Sequence, residues 1–408
     1  MTSGRAAVRE MVREGVVLRL LYFFFNIAMP LYFMFINLYF RRLGMTGVQI
    51  GLLNSLYYGM NFFFQPVWGY VSDTFRLRRP VLLLLALVSA GTMLLYGAVE
   101  SYFHLLGVAA LLGTSFNAIM PLLDAAGLDY VRRSGVSYGS IRLWGSVGFA
   151  ATGLLIGRLA AAYGLKAIFP AAATVLLFLF TAVWLLPRET QPETPIDPAP
   201  EKESGASRIR QIGLLLGQPR FAVFLVTAFL IQMSMSMGFA FLNIYMSQIG
   251  ATDGFIGLSW SVSGLSEIAA FLLLGHFLRR LGARPVILIA YITMTLRWLL
   301  YSLIRTPVSF LPVQLLQGFS AGFFFAGGVN FVQEETPESL KTTGQTIFGA
   351  VNMGLGPIVG MSLGGYLADA YGLPSLFRFC STISFGTALL FGGIMALEKT
   401  RTTAKLTE

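Results

Sequence analysis

Residues that build catalytic and metal sites are scarce in this chain. Cys380 is its one cysteine, and His104 and His276 are its two histidines. A single cysteine excludes an internal disulfide and a thiolate metal site, and two histidines so far apart do not form a zinc centre. The sequence also lacks a nucleophile paired with a base and a pore loop. It therefore predicts neither an enzyme nor a channel, and neither a metal nor a cofactor.

Charged residues are also few. They make up 12% of the 408 residues, whereas apolar residues make up 55%. Soluble domains carry roughly twice that share of charge, about 25%. The composition therefore predicts a membrane protein. The net charge of +10 does not point to a nucleic-acid partner, because the basic residues fall in short loops between apolar runs.

Twelve apolar runs have the length of a membrane span. They lie near residues 16–40, 47–70, 81–99, 103–128, 137–162, 167–186, 221–248, 254–278, 286–304, 308–332, 344–368 and 374–397. The first run is too long for a signal peptide and has no cleavage site after it, so it is expected to be retained. The polar, proline-rich segment between the sixth and seventh runs suits a flexible cytoplasmic linker with a short amphipathic helix near its end.

These features predict an all-α membrane protein with twelve transmembrane helices in two pseudo-symmetric six-helix bundles. We expect an N-terminal bundle at 1–186, the linker at 187–220, and a C-terminal bundle with a short cytoplasmic tail at 221–408. Most of the 29 Lys and Arg residues then fall on the side of the N-terminus. Because cytoplasmic loops are enriched in Lys and Arg, both termini are expected to be cytoplasmic.

The second half of the chain repeats the first. Asn243 repeats Asn37 at an offset of 206 residues, and the same offset joins further identical pairs up to Gly69 and Gly275. Such parallel repeats are typical of transporters whose halves rock about a site near the bilayer midplane.

Two charges interrupt the apolar runs of the first half. Asp124 lies eight residues before Arg132, and Arg142 lies nine residues after Arg133, across one short polar turn. At ~1.5 Å per helical residue, both lie roughly 12 to 14 Å from that turn, inside a hydrocarbon core of about 30 Å. Buried charges in membranes pair, face a cavity, and mark transport paths. We therefore expect Asp124 and Arg142 to form a pair.

The second half has its own buried charges, Glu267 and Arg297. Each lies 11 residues from the inner end of its span, so equal depth again predicts a pair. The first half has Asn61 in the position that corresponds to Glu267. A carboxylate present in one half alone suggests a task beyond holding helices together. Asn26 and Gln232 also correspond, and both are polar residues in apolar spans.

A cytoplasmic loop carries a recognisable pattern. Gly69 and Asp73, followed by Arg78 and Arg79, resemble the signature loop of the Major Facilitator Superfamily, although Thr74 replaces its first Arg. The resemblance implies a cytoplasmic gate made by these residues, with Gly69 allowing close helix approach.

The stretch 117–148 narrows this resemblance. It contains the patterns NAxxPxxDA and YGxxRxxGxxG, which resemble the branch of that superfamily with lactose and phenylpropionate permeases, and the likeness covers essentially the whole chain. The resemblance implies substrate binding by Asp124 and Arg142 and proton coupling by Glu267 and Arg297. Phe149 stands where the resemblance to lactose permeases implies a Trp that stacks on the sugar ring, so lactose itself is not expected. The substrate-binding residues are predicted to be Asn117, Asp124, Arg142, Phe149, Asn26 and Gln232.

The sequence thus predicts a secondary active transporter that imports a small organic solute by proton symport and alternating access. An aromatic carboxylate such as a phenylpropionate-like acid suits the resemblance. A sugar or nucleoside symporter is the alternative, and a non-transporting membrane receptor is the alternative from another class. The expected partners are the substrate, the proton and the lipid bilayer, for a monomer in the cytoplasmic membrane of a bacterium.

Overall fold

The computed structural model describes residues 2–186 and 212–407, and this part of the chain is helical without strands. We number its α-helices α1 to α16. They are α1 (Thr2–Phe33), α2 (Ile36–Arg42), α3 (Gly47–Thr74), α4 (Arg78–Ala98), α5 (Tyr102–Ser115), α6 (Ile119–Ser134), α7 (Tyr138–Tyr163), α8 (Ile168–Trp184), α9 (Pro219–Gln248), α10 (Asp253–Leu281), α11 (Ala283–Leu303), α12 (Phe310–Gln314), α13 (Phe323–Glu335), α14 (Lys341–Ala350), α15 (Gly356–Tyr371) and α16 (Leu373–Thr407).

All twelve apolar runs fall on helices, as the sequence predicts. Within the described ranges, eleven helical segments are long and apolar enough to cross a membrane. The remaining run, the second in chain order, corresponds to α3, which has 28 residues. Its length suffices for a span, but amides and tyrosines lower its mean hydropathy. Of the predicted linker, residues 187–211 lie outside the described residues, and residues 212–216 form a short helix.

The chain forms two compact units. The first contains Met1–Glu193 together with Ala251–Leu258, and the second contains Thr194–Gly250 together with Ser259–Glu408. The first unit thus contains α1 to α8 and residues 253–258 at the start of α10, and the second contains α9, the rest of α10 and α11 to α16.

Within the first unit, α1 packs against α7 and α8, and α3 packs against α5. Glycine permits the closest of these crossings. A Cβ atom at Gly148 of α7 would lie 2.5 Å from the carbonyl oxygen of Phe23 on α1. Gly135 ends α6 with a φ of 71°, and Ser137 begins α7 by accepting a hydrogen bond from the Ser140 amide. This short turn sets α6 and α7 antiparallel, which brings Asp124 and Arg142 to one depth.

Within the second unit, α9 packs against α15 and α16, and α11 packs against α13 and α16. Two helical spans of this unit contain a π-helical turn, at Gly318–Gly322 between α12 and α13 and at Val351–Leu355 between α14 and α15. Such turns within helices are frequent at functional sites because they change which side chains face a neighbouring helix.

The repeat is visible in ion pairs that occupy corresponding places. Arg78 Nη1 donates to Asp129 Oδ2 at 2.6 Å in the first unit. Arg284 Nε donates to Glu335 Oε1 at 3.1 Å in the second unit. Both partners differ by 206 in residue number, which is the offset that the sequence shows. The two halves therefore share internal fixing contacts as well as identical residues.

Candidate functional site

The structure places Asp124 and Arg142 together, as the sequence predicts. Arg142 Nη1 lies 3.3 Å from Asp124 Oδ1 and 3.4 Å from Oδ2. The pair is accessible, because 53% of the Arg142 side chain and 30% of the Asp124 side chain are exposed. An accessible ion pair between two predicted spans can exchange its contacts for those of a ligand.

Two tyrosines complete this cluster, which we call the Asp124 cluster (Tyr22, Asp124, Tyr138 and Arg142). The Tyr22 hydroxyl donates to Asp124 Oδ1 at 2.7 Å, and the Tyr138 hydroxyl donates to the same oxygen at 2.6 Å. Arg142 Nη1 also donates to the Tyr138 hydroxyl at 3.0 Å. Three donors thus converge on one carboxylate. The arrangement balances one positive against one negative charge and can both donate and accept hydrogen bonds.

Close helix crossings hold the cluster in place. A Cβ atom at Gly145 would lie 2.7 Å from Asn26 Nδ2, and one at Gly127 would lie 3.1 Å from the Tyr22 hydroxyl. These glycines let α1 approach α6 and α7. Asn26 Nδ2 donates to the Tyr22 carbonyl at 2.8 Å and lies beside Arg142's helix. Asn26 therefore lies one turn after Tyr22 on α1 and against Gly145, three residues after Arg142 on α7.

The other predicted binding residues of the first unit are Asn117 and Phe149. Asn117 lies in the turn 116–118 that separates α5 from α6. Phe149 is half-buried on α7, two turns beyond Arg142. The structure thus links Asn26 directly to the Asp124 cluster, whereas it places Asn117 and Phe149 at other levels of the same unit.

In the second unit, Arg297 lies at the centre of a buried polar network. Its side chain is 0% exposed. Its nitrogens donate to the Tyr301 hydroxyl at 3.1 Å, to Gln314 Oε1 at 3.1 Å and to Ser320 Oγ at 3.4 Å. The guanidinium also lies 5.1 Å from the Phe239 ring centroid. Hydrogen bonds and aromatic faces thus solvate this cation.

The expected direct pair of Glu267 with Arg297 is wrong. Glu267 Oε1 instead accepts a hydrogen bond from Gln317 Nε2 at 2.8 Å, and within the described residues Arg297 makes no ion pair with a carboxylate. The two charges still interact electrostatically. Equal depth along two helices does not by itself fix a contact, because the rotation of each helix about its axis decides which neighbour a side chain meets. Arg297 faces residues on its own helix and on α12 instead.

Gln232, the last predicted binding residue, is buried on α9 with 9% of its surface exposed. Its Nε2 donates to Ser236 Oγ at 3.4 Å, whereas its Oε1 accepts no hydrogen bond from a described residue. Gly356 lies against it, since a Cβ atom there would be 2.7 Å from Gln232 Cγ. A buried acceptor without a donor is costly and suits a site that a ligand or water completes.

Two of the predicted cytoplasmic gate residues bind partners outside the predicted set. Arg78 binds Asp129, and Arg79 donates to the Trp184 carbonyl at 2.5 Å. Asp73 is exposed. The expectation that Gly69 allows close helix approach is wrong, because a Cβ atom there would meet nothing within 4 Å.

The sequence patterns assigned no role to several residues that the structure brings into these sites. Tyr138 lies four residues before Arg142, and Tyr22 lies four before Asn26, so each shares a helix face with a predicted residue. That spacing could have identified them. The other omitted residues are Tyr301, Gln314, Gln317 and Ser320. Tyr301 lies four residues after Arg297 on the same helix, so its spacing could have identified it as well. Nothing in the spacing indicated that Gln314 and Ser320 meet Arg297, or that Gln317 meets Glu267.

The chain resembles known membrane transporters over most of its length, and residues 16–379 match the MFS_1 like family. It is 29% identical over 384 residues to a maltose permease of Geobacillus stearothermophilus, covering 93% of each chain. It is 25% identical over 363 residues to the uncharacterized transporter YwbF of Bacillus subtilis, covering 88% of each.

A solved structure shows the same fold. The crystal structure of the nucleoside transporter NupG superposes with a TM-score of 0.81 at 18% identity, covering 93% of this chain and 98% of that one. The matched family and these similarities agree with the helical spans and the internal repeat described above. This chain is a multi-pass membrane protein that belongs to the MFS_1 like family of Major Facilitator Superfamily transporters.

Proposed function

We propose that this transporter is a proton-coupled symporter that imports a small, neutral, hydroxyl-rich solute such as a sugar by alternating access. The Asp124 cluster carries this proposal. In it, one carboxylate accepts hydrogen bonds from two hydroxyl groups and from one guanidinium. A sugar offers hydroxyl groups that can replace the tyrosine hydroxyls around the same carboxylate.

The charge balance of the cluster favours a neutral solute. Asp124 offsets the charge of Arg142, so an anion would meet the carboxylate as well as the guanidinium. A hydroxyl group can donate to Asp124 and accept from the exposed Arg142 guanidinium. Hydrogen bonds to charged groups are stronger than those between neutral groups. The similarity to a maltose permease supports the same class of substrate.

An aromatic carboxylate is the second candidate. The observation in its favour is the 53% exposure of the Arg142 side chain, which leaves a guanidinium fork open to a carboxylate. Tyr22 and Tyr138 would then supply aromatic contact, since their rings meet edge-to-face with centroids 6.5 Å apart.

For the proton we propose Glu267. It is partly buried and accepts a hydrogen bond from Gln317. Asp124 accepts from three donors, all of which a proton on that carboxylate would disturb. Glu267 therefore gains or loses a proton at the cost of fewer contacts. Ionisable groups within membrane spans commonly form proton relays.

We further propose that the protein is a monomer in the cytoplasmic membrane of a bacterium, with both termini in the cytoplasm. The excess of Lys and Arg in alternate loops supports this orientation. Reporter fusions at each terminus test it.

Purified protein in liposomes tests the function. Thermal-shift screening against maltose, uridine and 3-phenylpropionate identifies the ligand class, and counterflow of the labelled ligand shows transport. Binding without counterflow would instead support a receptor. A shift with 3-phenylpropionate alone would contradict the proposed substrate class.

Glu267→Gln tests the coupling. The variant is expected to lose uphill accumulation driven by a proton gradient but to keep counterflow, because an amide of equal size cannot exchange the proton. Glu334→Gln, at an exposed position on α13, is the matched control. Normal accumulation by Glu267→Gln would refute the assignment of Glu267.

A further inference from the structure

The π-helical turn Gly318–Gly322 is held by contacts that converge from two neighbouring helices. Ser320, within the turn, accepts a hydrogen bond from Arg297 of α11 at 3.4 Å. Gly318 lies against α10 so closely that a Cβ atom there would be 2.3 Å from the Ser266 carbonyl oxygen. The turn therefore touches the helices that carry both buried charges of this unit.

Ser266 forms hydrogen bonds with backbone groups at the point where the α-helix ends and this π-helical turn begins. Its hydroxyl donates to the Leu315 carbonyl at 2.6 Å and accepts from the Gly318 amide at 3.0 Å. Backbone groups without hydrogen-bond partners are costly in a membrane, so these two hydrogen bonds stabilise the irregular turn. Ser266 and the adjacent Glu267 thus contact Gly318 and the adjacent Gln317. Any movement of one pair of residues moves the other.

Gln317 has an unusual hydrogen-bonding state. It is 5% exposed, and its Nε2 donates to Glu267 Oε1 at 2.8 Å. Its Oε1 is buried and accepts no hydrogen bond from any residue that the structure describes. An amide can turn over and exchange its oxygen for its nitrogen within nearly the same volume. The Nε2 group of Gln317 therefore donates to the ionised carboxylate of Glu267, and its Oε1 is available to accept a hydrogen bond from the protonated carboxyl group.

Among the residues that the structure describes, the charged group that acts electrostatically on Glu267 is Arg297. Its hydrogen-bonding neighbour Tyr301 is the other titratable side chain on α11 in this network. The side chains that face these groups from α12 and the π-helical turn are Gln314, Gln317 and Ser320, which do not titrate. Among these groups, Gln317 is the one that hydrogen-bonds to the Glu267 carboxylate.

We propose that Gln317 is a positioning residue that transmits the protonation state of Glu267 to the π-helical turn. When Glu267 is ionised, Gln317 Nε2 donates to it. When Glu267 takes up a proton from water, its new O–H group donates to Gln317 Oε1, and the amide turns over to present that oxygen. This reversal replaces an N–H···O bond to the carboxylate by an O–H···O bond from the carboxyl group, which changes the preferred placement of Gln317 against Glu267. Gly318 is affected because it is covalently bonded to Gln317, while Ser266, next to Glu267, holds its amide. Loss of the proton to water on the other side restores the first state.

This inference rests on the proposed role of Glu267 as the proton carrier. Gln317→Met has similar volume but can neither donate nor accept in this way. We expect it to keep counterflow and to lose about tenfold in proton-driven accumulation, a factor typical of coupling between sites. Gln345→Met is the matched control, since Gln345 is half-buried and donates to the Val329 carbonyl, away from Glu267.

A second measurement does not depend on transport. Hydrogen exchange of peptides covering residues 314–324 is followed at acidic and alkaline pH, corrected for the intrinsic pH dependence of exchange. In the unaltered protein we expect protection to change with pH. In Glu267→Gln and in Gln317→Met we expect protection that no longer responds to pH.

The outcomes separate this inference from the function on which it rests. If Glu267→Gln accumulates substrate normally, the coupling assignment itself fails. If Glu267→Gln is uncoupled while Gln317→Met accumulates normally, the role of Gln317 is overturned and Glu267 remains the carrier. If the hydrogen-exchange protection of residues 314–324 does not change with pH in the unaltered protein, the proposed movement of the turn is overturned, whatever the transport result.

Discussion

Replacement of Asp124 by Asn should change substrate affinity in opposite directions for the two candidate substrate classes. The amide retains an oxygen that can accept from Tyr22 and Tyr138, so the cluster keeps its geometry while it loses a negative charge. Asp129→Asn is the matched control. Asp129 lies on the same helix, but it binds Arg78 outside the cluster.

For a sugar, the variant should weaken binding. A hydrogen bond to a charged group contributes roughly 1.5–3 kcal/mol and a neutral one about half as much. Two hydroxyl groups bound to Asp124 would then lose on the order of 1.5–3 kcal/mol, which corresponds to about 10- to 100-fold weaker binding.

For an aromatic acid, the variant should strengthen binding. A substrate carboxylate beside Arg142 would lie about 6 Å from Asp124, where like charges repel by roughly 0.7–2.8 kcal/mol for effective dielectric constants of about 80 to 20. The exposure of Arg142 favours the lower part of this range, about 3- to 10-fold tighter binding.

Isothermal titration of purified protein with maltose and with 3-phenylpropionate measures both effects. Unchanged affinity for whichever compound binds would refute the argument, because Asp124 would then make no contact with substrate. Equal losses in Asp124→Asn and Asp129→Asn would show a general effect of the substitution instead.

Three further substitutions have expected outcomes. Arg142→Lys should weaken substrate binding at least about tenfold in counterflow, because an ammonium group cannot reproduce a guanidinium fork; wild-type affinity would contradict this. Gly318→Ala should lower the unfolding free energy by about 1–3 kcal/mol, since its Cβ atom would lie 2.3 Å from a backbone carbonyl of α10. Gly322→Ala, where the nearest atom is 3.8 Å away, should be tolerated. Arg297→Lys should destabilise by about 1–3 kcal/mol in thermal unfolding, because its three bonds leave from three nitrogens. Arg305→Lys should cost less, since its bonds leave from one nitrogen, and equal losses would argue against this reasoning.

The sequence predicted those parts of the structure that follow from spacing along a helix. The twelve spans follow from the length of the apolar runs, and the pairing of Asp124 with Arg142 follows from equal distances to one turn. The short turn near Gly135 fixes α6 beside α7, so depth alone was enough there. The matched family then agrees with the resemblance at the superfamily level.

Contacts that depend on helix rotation could not be predicted in this way. Glu267 and Arg297 lie on consecutive helices at equal sequence distances from the loop that joins them, yet Glu267 binds Gln317 and Arg297 binds Gln314. The π-helical turn at Gly318–Gly322 adds to the difficulty, because it changes the direction of every later side chain in its span. A sequence pattern analysed at 3.6 residues per turn does not reveal this change in side-chain direction.

The duplicated ion pairs distinguish the residues that each half of the chain needs for folding from those that it needs for transport. Arg78 with Asp129 and Arg284 with Glu335 recur, whereas the carboxylate of Glu267 corresponds to the amide of Asn61. A tandem protein assembled from two copies of the N-terminal half would therefore keep a fixing pair in each copy. It would nevertheless carry an amide at both places where the natural chain has one acid, and so it would lack the proposed proton carrier.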